Sequence, residues 1–262
     1  MSVICNAPGC TFMSPMTFSE CPQCGGQDVS EWLTSVPQRG PSSLADIEPQ
    51  VIHGGSTGTI LDCLSVHGVP HEATVLLHGF PGVGKSRLAL CAASGWCHGS
   101  PSHSAVYILS GASEGMTFQE LHRMAQEHGL SHVERMYPVR HEECAVTLLQ
   151  VTTPRFIVVD SIPDDAVGEC QRWVAHVRDF PTDTVLLITQ ETKEGQYAGP
   201  HGLEHLVTIS CALRNVQERE WIRSTGSDQP YPRSGRFLFV TKNRMGLTGT
   251  FGPLDRLTMG LA

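Results

Sequence analysis

Residues Gly79–Ser86 read GFPGVGKS, and directly before them a strand is predicted at Ala73–His78 on the apolar run Ala73–Leu77. The octet fits the pattern G-x-x-x-x-G-K-[ST], in which glycines let successive backbone N–H groups curl around an anion. Gly79, Gly82 and Gly84 supply that freedom, with Val83 between two of them. Lys85 is placed to reach the β- and γ-phosphates of a nucleotide, and Ser86 to ligate Mg²⁺. The next stretch, Lys85–Gly95, predicts a helix that carries Ser86 and Arg87 in its first turn and turns its positive end toward the anion. A glycine-rich turn with no ligand is the bland alternative, and it leaves the Lys-Ser pair unexplained. Strand, loop and helix in this order point to a bound nucleoside triphosphate.

Away from the loop, strand and helix signals alternate. Strands are predicted at Ala105–Ser110, Arg155–Asp160, Thr184–Gln190, Leu206–Leu213 and Phe237–Thr241. Helical patterns fall at Phe118–His128, Glu142–Gln150 and Asp165–Arg178. Such alternation predicts an α/β class with a mostly parallel sheet flanked by helices, the ligand lying at the carboxyl ends of the strands. Three parts are expected: residues 1–30 as a small cysteine module, 31–50 as a Pro/Ser/Gly-containing linker, and 51–262 as the α/β domain.

With 262 residues and 40% hydrophobic content, the chain can bury one sizeable core plus an appendage. No stretch approaches the ~20 apolar residues that span a bilayer, and the amino terminus lacks a basic-then-apolar leader. A cytoplasmic protein with no membrane partner is expected. The formal charge of −8 argues against a surface coated for duplex DNA while allowing a local basic channel. Only three of the 18 basic residues are Lys, namely Lys85, Lys193 and Lys242. In a chain that uses Arg for general charge, each Lys is informative.

Four of the ten cysteines cluster early as C-x4-C-x10-C-x2-C: Cys5, Cys10, Cys21 and Cys24. Two pairs on short turns can deliver four thiolates to one tetrahedral Zn²⁺, and Pro22, Gly25 and Gly26 suit such a turn. The alternative is a reduced tail whose thiols hold nothing. The other six cysteines read as small core hydrophobes.

Asp160 ends the apolar run FIVVD, where a carboxylate can complete a Mg²⁺ shell. Hydrolysis also needs a group that orients water, and Glu114, just past the second strand, is the candidate; an ordinary loop carboxylate is the alternative. Gln190, at the end of the fourth strand, is placed to sense the γ-phosphate. The segment Glu191–Gly202 that follows is either a surface turn or a contact loop. In TKNRMG (Thr241–Gly246), Lys242 and Arg244 alternate by two; they are either a solvated strand end or cations that reach phosphate on a neighbouring subunit. None of the thirteen His has metal-ligand spacing.

Together these residues resemble the bacterial RadA/Sms branch of the RecA-like ATPases. The likeness lies in the cysteine motif, GFPGVGKS, VVDS (Val158–Ser161), TKEGQYAGPHGLEH (Thr192–His205) and KNRMG (Lys242–Gly246). Further similarity falls at Thr57–Gly58, Leu61–Asp62 and Gly252–Leu261. The resemblance implies a RecA-like fold and an ATP-driven, ring-forming homo-oligomer on single-stranded or branched DNA, acting in recombination and repair. It implies that Lys85 and Ser86 bind ATP–Mg²⁺, that Asp160 supports the metal, that Lys242 and Arg244 couple subunits, and that Lys193 lies near DNA. The chain departs from the pattern in SGASEG (Ser110–Gly115), where a two-residue insertion restores Glu114. It departs also in the wider first cysteine spacing, in Gln190 where relatives place His, and in the Lon-protease-like domain it is expected to lack.

The leading expectation is a DNA-stimulated ATPase. The competing one is a nucleotide-gated adaptor that binds ATP with little turnover and docks a helicase, recombinase or other partner through its zinc module. A small-molecule kinase would leave the TKEG and KNR motifs unexplained.

Overall fold

The computed structural model describes residues 2–5, 13–14, 20–21, 24–27, 29–32, 53–109, 117–140, 151, 153–162, 167–191, 203–215 and 236–251. The chain divides into two compact units, Met1–Val51 and Ile52–Ala262. In the first, β1 (Ser2–Cys5) pairs antiparallel with both β2 (Met13–Ser14) and β3 (Val29–Trp32).

The second unit opens with a small ribbon, β4 (Gly54–Gly55) on β5 (Val69–Pro70). Its main sheet holds eight strands: β6 (Ala73–His78), β7 (Ser104–Leu109), β8 (Met136–Arg140), β9 (Arg155–Asp160), β10 (Thr184–Ile188), β11 (Ile209–Asn215), β12 (Arg236–Asn243) and β13 (Gly249–Phe251). Their order is β13-β12-β11-β6-β10-β9-β7-β8. The six from β11 to β8 run parallel, and β12 and β13 return antiparallel. The expected α/β class with a mostly parallel sheet is observed.

Every residue of β6, β7, β9 and β10 is buried, which explains why these strands read as unbroken apolar runs. Alternate side chains still part cleanly. Val75, Leu77, Tyr107, Val158 and Ile188 pack into one layer with α1 (Lys85–Gly99) and α2 (Phe118–Glu127). Leu76, Val106, Ile108, Val159 and Leu187 pack into the other with α3 (Val167–Asp179) and the single turn α4 (Leu203–Leu206).

Several boundaries differ from the sequence expectation. The helix after the loop does not stop at Gly95 but continues to Gly99. Gly95 is a point of close approach: a Cβ there would lie 1.7 Å from the Thr57 carbonyl oxygen. Thr57 is held by Asp62, whose Oδ1 accepts from both its N–H and its hydroxyl. The run Leu206–Leu213 splits into the end of α4 and β11. The edge strands β8 and β13 lack a distinctive pattern, β8 having only Val139 buried. The expected helix Glu142–Gln150 lies outside the described residues. Among the described residues no helix is long and apolar enough to cross a membrane.

Candidate functional site

β6 lies between β10 and β11, so their carboxyl ends surround the loop that leaves His78. Gly79, Gly82 and Gly84 take φ values of 151°, 76° and 106°. These belong to the region that glycine tolerates and side chains rarely enter. A Cβ on Gly79 would also strike the Leu213 carbonyl at 2.3 Å, so the loop is seated against the end of β11. Gly84 begins α1 without a side-chain cap, leaving the first-turn N–H groups for an incoming anion.

Lys85 is buried, and its Nζ donates to the Gly79 carbonyl at 2.6 Å and the Phe80 carbonyl at 3.0 Å. Burial lowers its ammonium below the ordinary lysine value, against the opposing pull of Asp160 and Glu191. Among the described residues, a cation so placed is held by two loop carbonyls alone. Asp160, buried at the end of β9, accepts a 2.8 Å hydrogen bond from the Tyr107 hydroxyl. Gln190 is exposed beside the loop, between two backbone bonds: Thr189 N–H to the Leu77 carbonyl and Glu191 N–H to the Gly79 carbonyl.

Sequence reasoning missed the polar cluster beneath this loop. Glu191 Oε1 accepts from His78 Nδ1 at 2.7 Å and from Arg214 at 3.1 Å. His78 Nε2 stands 3.9 Å from Glu204 Oε1. The signal was faint: one His ending an apolar strand, whose partner stands 113 residues later. Burial holds the His78 imidazole below its ordinary value, outweighing Glu191 and Glu204 and reinforced by Arg214. The unfolded chain therefore takes up this proton first. The His78 contribution to stability is complete above pH ~6.5 and declines as pH falls toward the folded value. His103 shifts in the same direction. The thermal midpoint should thus fall on acidification from pH 8 to 5.5, and fall less in His78→Gln; equal slopes would remove His78 as a cause.

The strand expected to carry Lys242 and Arg244 alike ends at Asn243, before Arg244, yet both side chains reach α4. Lys242 Nζ donates to the carbonyls of Glu204, His205 (3.2 Å) and Val207 (2.8 Å). Arg244 reaches the His205 carbonyl at 3.4 Å. Burial, then the Arg244 charge, lowers the Lys242 ammonium. Glu114 and Lys193 lie outside the described residues.

In the first unit, Cys21 N–H donates to the Gly26 carbonyl and Gly25 N–H to the Cys21 carbonyl, each at 2.8 Å. This closes a tight turn with Cys21 buried and Cys24 exposed. Cys5 is on β1, and Cys10 lies outside the described residues. Among the described residues no group of three or more potential ligands is assembled.

No protein-family model matches the chain. Curated proteins do. The chain is 26% identical over 285 residues to the DNA repair protein RadA of Bacillus subtilis, covering 96% of itself and 57% of that protein. It is 28% identical to the DNA repair protein RadA of Pseudomonas aeruginosa, with the same coverage. Against that of Aquifex aeolicus the figures are 24% identity, 96% and 57%. The chain spans about half the length of the curated relatives it matches. Over nearly all of its own length, it is similar to the bacterial RadA proteins, the family its motifs resemble.

Proposed function

We propose that this chain is a RecA-like, RadA-related ATPase that works on single-stranded or branched DNA in recombination and repair. One observation carries the nucleotide reading. A glycine loop with three positive φ angles opens an uncapped helix, and its buried lysine is parked on loop carbonyls beside Asp160. The nearby donor set suits ATP–Mg²⁺. Backbone N–H groups from Gly82 to Arg87, Val83 among them, would cradle the phosphates. Lys85 would neutralise them, and Ser86 and Asp160 would hold the metal. The metal would supply charge neutralisation. Gln190 would sense the terminal phosphate, and Glu114 would orient water.

The placement of the KNR segment supports action in trans. Arg244 N–H bonds the Thr208 carbonyl, and Thr208 N–H bonds that of Thr74, at the amino end of β6. Five residue steps lead from Thr74 to Gly79, roughly 16 Å at ~3.3 Å each. Lys242 and Arg244 rest on the carbonyls of residues 204–207 and not on this chain's own loop, which suits contact with a neighbour's nucleotide in a homo-oligomeric ring. The Cys21–Gly26 turn suits a zinc knuckle completed by Cys5 and Cys10. The names of the relatives support a role in DNA repair.

Steady-state ATP hydrolysis by zinc-loaded protein, with and without single-stranded DNA at a stated moderate salt, tests the proposal. Turnover that rises with DNA is expected. ATP binding without turnover in either condition would overturn the ATPase reading and leave a nucleotide-gated adaptor.

A further inference from the structure

We infer that Tyr107 is a positioning residue for Asp160: its hydroxyl fixes Oδ2 and leaves Oδ1 to face a nucleotide-bound divalent cation. The inference rests on the reading of the loop as an ATP–Mg²⁺ site.

Tyr107 is on β7, the neighbour of β9. In the parallel register it pairs with Val158, and Leu109 pairs with Asp160, so Tyr107 and Asp160 share one face of the sheet. The ring is 1% exposed and belongs to the α1-side core. A phenol buried this deeply must find an acceptor, and two lie within reach. Asp160 Oδ2 is 2.8 Å away and the Ser86 carbonyl 3.4 Å. With one proton to donate, the hydroxyl gives the short bond to the carboxylate.

That donation fixes the last residue of β9, at a hydroxyl that also stands 3.4 Å from the Ser86 carbonyl in the first turn of α1. Among the described residues no other donor reaches Asp160. The carboxylate can otherwise rotate about its last torsion, which is broad and nearly two-fold. Removing only the hydroxyl keeps the packing, since Phe fills the same place in the core. It frees Asp160 and deletes a partner of the kind that orients metal-facing carboxylates, a loss that lowers metal affinity by ~10–100-fold.

The test is a Mg²⁺ titration with a fluorescent ATP analogue at fixed concentration, beside binding in EDTA and a thermal midpoint. In Tyr107→Phe the Mg²⁺ half-point should rise ~10-fold or more, while the affinity in EDTA moves far less. In an Asp160→Asn background, the same substitution should raise the half-point no further. A rise under ~3-fold overturns the inference. So does an additive rise in the Asp160→Asn background, since Tyr107 would then act elsewhere. Equal losses with and without Mg²⁺, alongside a lowered midpoint, would make Tyr107 a packing residue and overturn it too. Failure of the unmodified protein to bind the analogue in any condition would sink the nucleotide reading itself, a result distinct from the others.

Discussion

Asp183→Ala is expected to remove about 3–5 kcal/mol of stability, a large share of the ~5–15 kcal/mol that holds a typical domain folded. Asp183 is fully buried where α3 turns into β10. Its Oδ2 accepts from Arg155 Nη2 at 2.7 Å, from Arg155 Nε at 3.0 Å and from His176 Nε2 at 3.0 Å. Its Oδ1 takes the Arg155 backbone N–H at 3.1 Å. One carboxylate therefore binds the start of β9 to the start of β10, while Arg155 lies 4.9 Å over the Phe180 ring. Removing it takes the opposite charge away from an arginine that is 2% exposed. Burial alone would raise this carboxyl, but hydrogen bonds from His176 and Arg155 and the Arg155 charge hold it below its ordinary value. Its contribution is accordingly present above pH ~3.8 and lost as pH falls through the folded value. Chemical denaturation at neutral pH should show the loss, with a midpoint drop of roughly 6–20 °C on heating. Arg155→Met combined with Asp183→Leu should recover only part of it, because the two side chains then need no partner while the Arg155 N–H and His176 still lose the Asp183 acceptor. A loss under about 1 kcal/mol in Asp183→Ala would mean that water replaces the carboxylate.

The parts of this molecule legible in its sequence are those whose chemistry is local. β6 and β9 match their expected bounds, because a strand buried on both faces is apolar along most of its length. The glycine loop is legible for a related reason: its backbone shape and its cation occur within eight residues. Gly95 was misread because the same residue type serves as helix stop and as close-approach point, and only the Thr57 carbonyl distinguishes them. Asp160 was found, yet Tyr107 was not, since nothing in AVYILS marks one buried ring as a hydrogen-bond donor to a residue 53 positions away. His78, Glu191 and Arg214 share that fate. Each looks ordinary alone, and their chemistry exists only where β6, β10 and β11 end side by side. The KNR pair lies between these cases: the cations were legible, but the antiparallel return of β12 that turns them onto α4 was not.

Lys85→Ala is expected to lower ATP turnover by at least ~10²-fold, the scale seen when one preorganised donor to developing charge is removed. Loss of fold is not the expected cause. The side chain contributes two hydrogen bonds to loop carbonyls, but burial works against its charge. Its removal leaves two acids nearby, each with other support: Asp160 keeps Tyr107, and Glu191 keeps His78 and Arg214. The thermal midpoint should therefore move little while turnover collapses. The two readouts separate the roles open to this lysine. Collapse of turnover with an intact midpoint places Lys85 on the phosphates. Collapse of both would show that the parked ammonium holds the loop together, with Gly79 and Phe80 as its structural acceptors. Turnover within tenfold of the unmodified protein would overturn the reading of Gly79–Ser86 as the ATP site, because no other buried cation lies between Asp160 and Glu191 among the described residues.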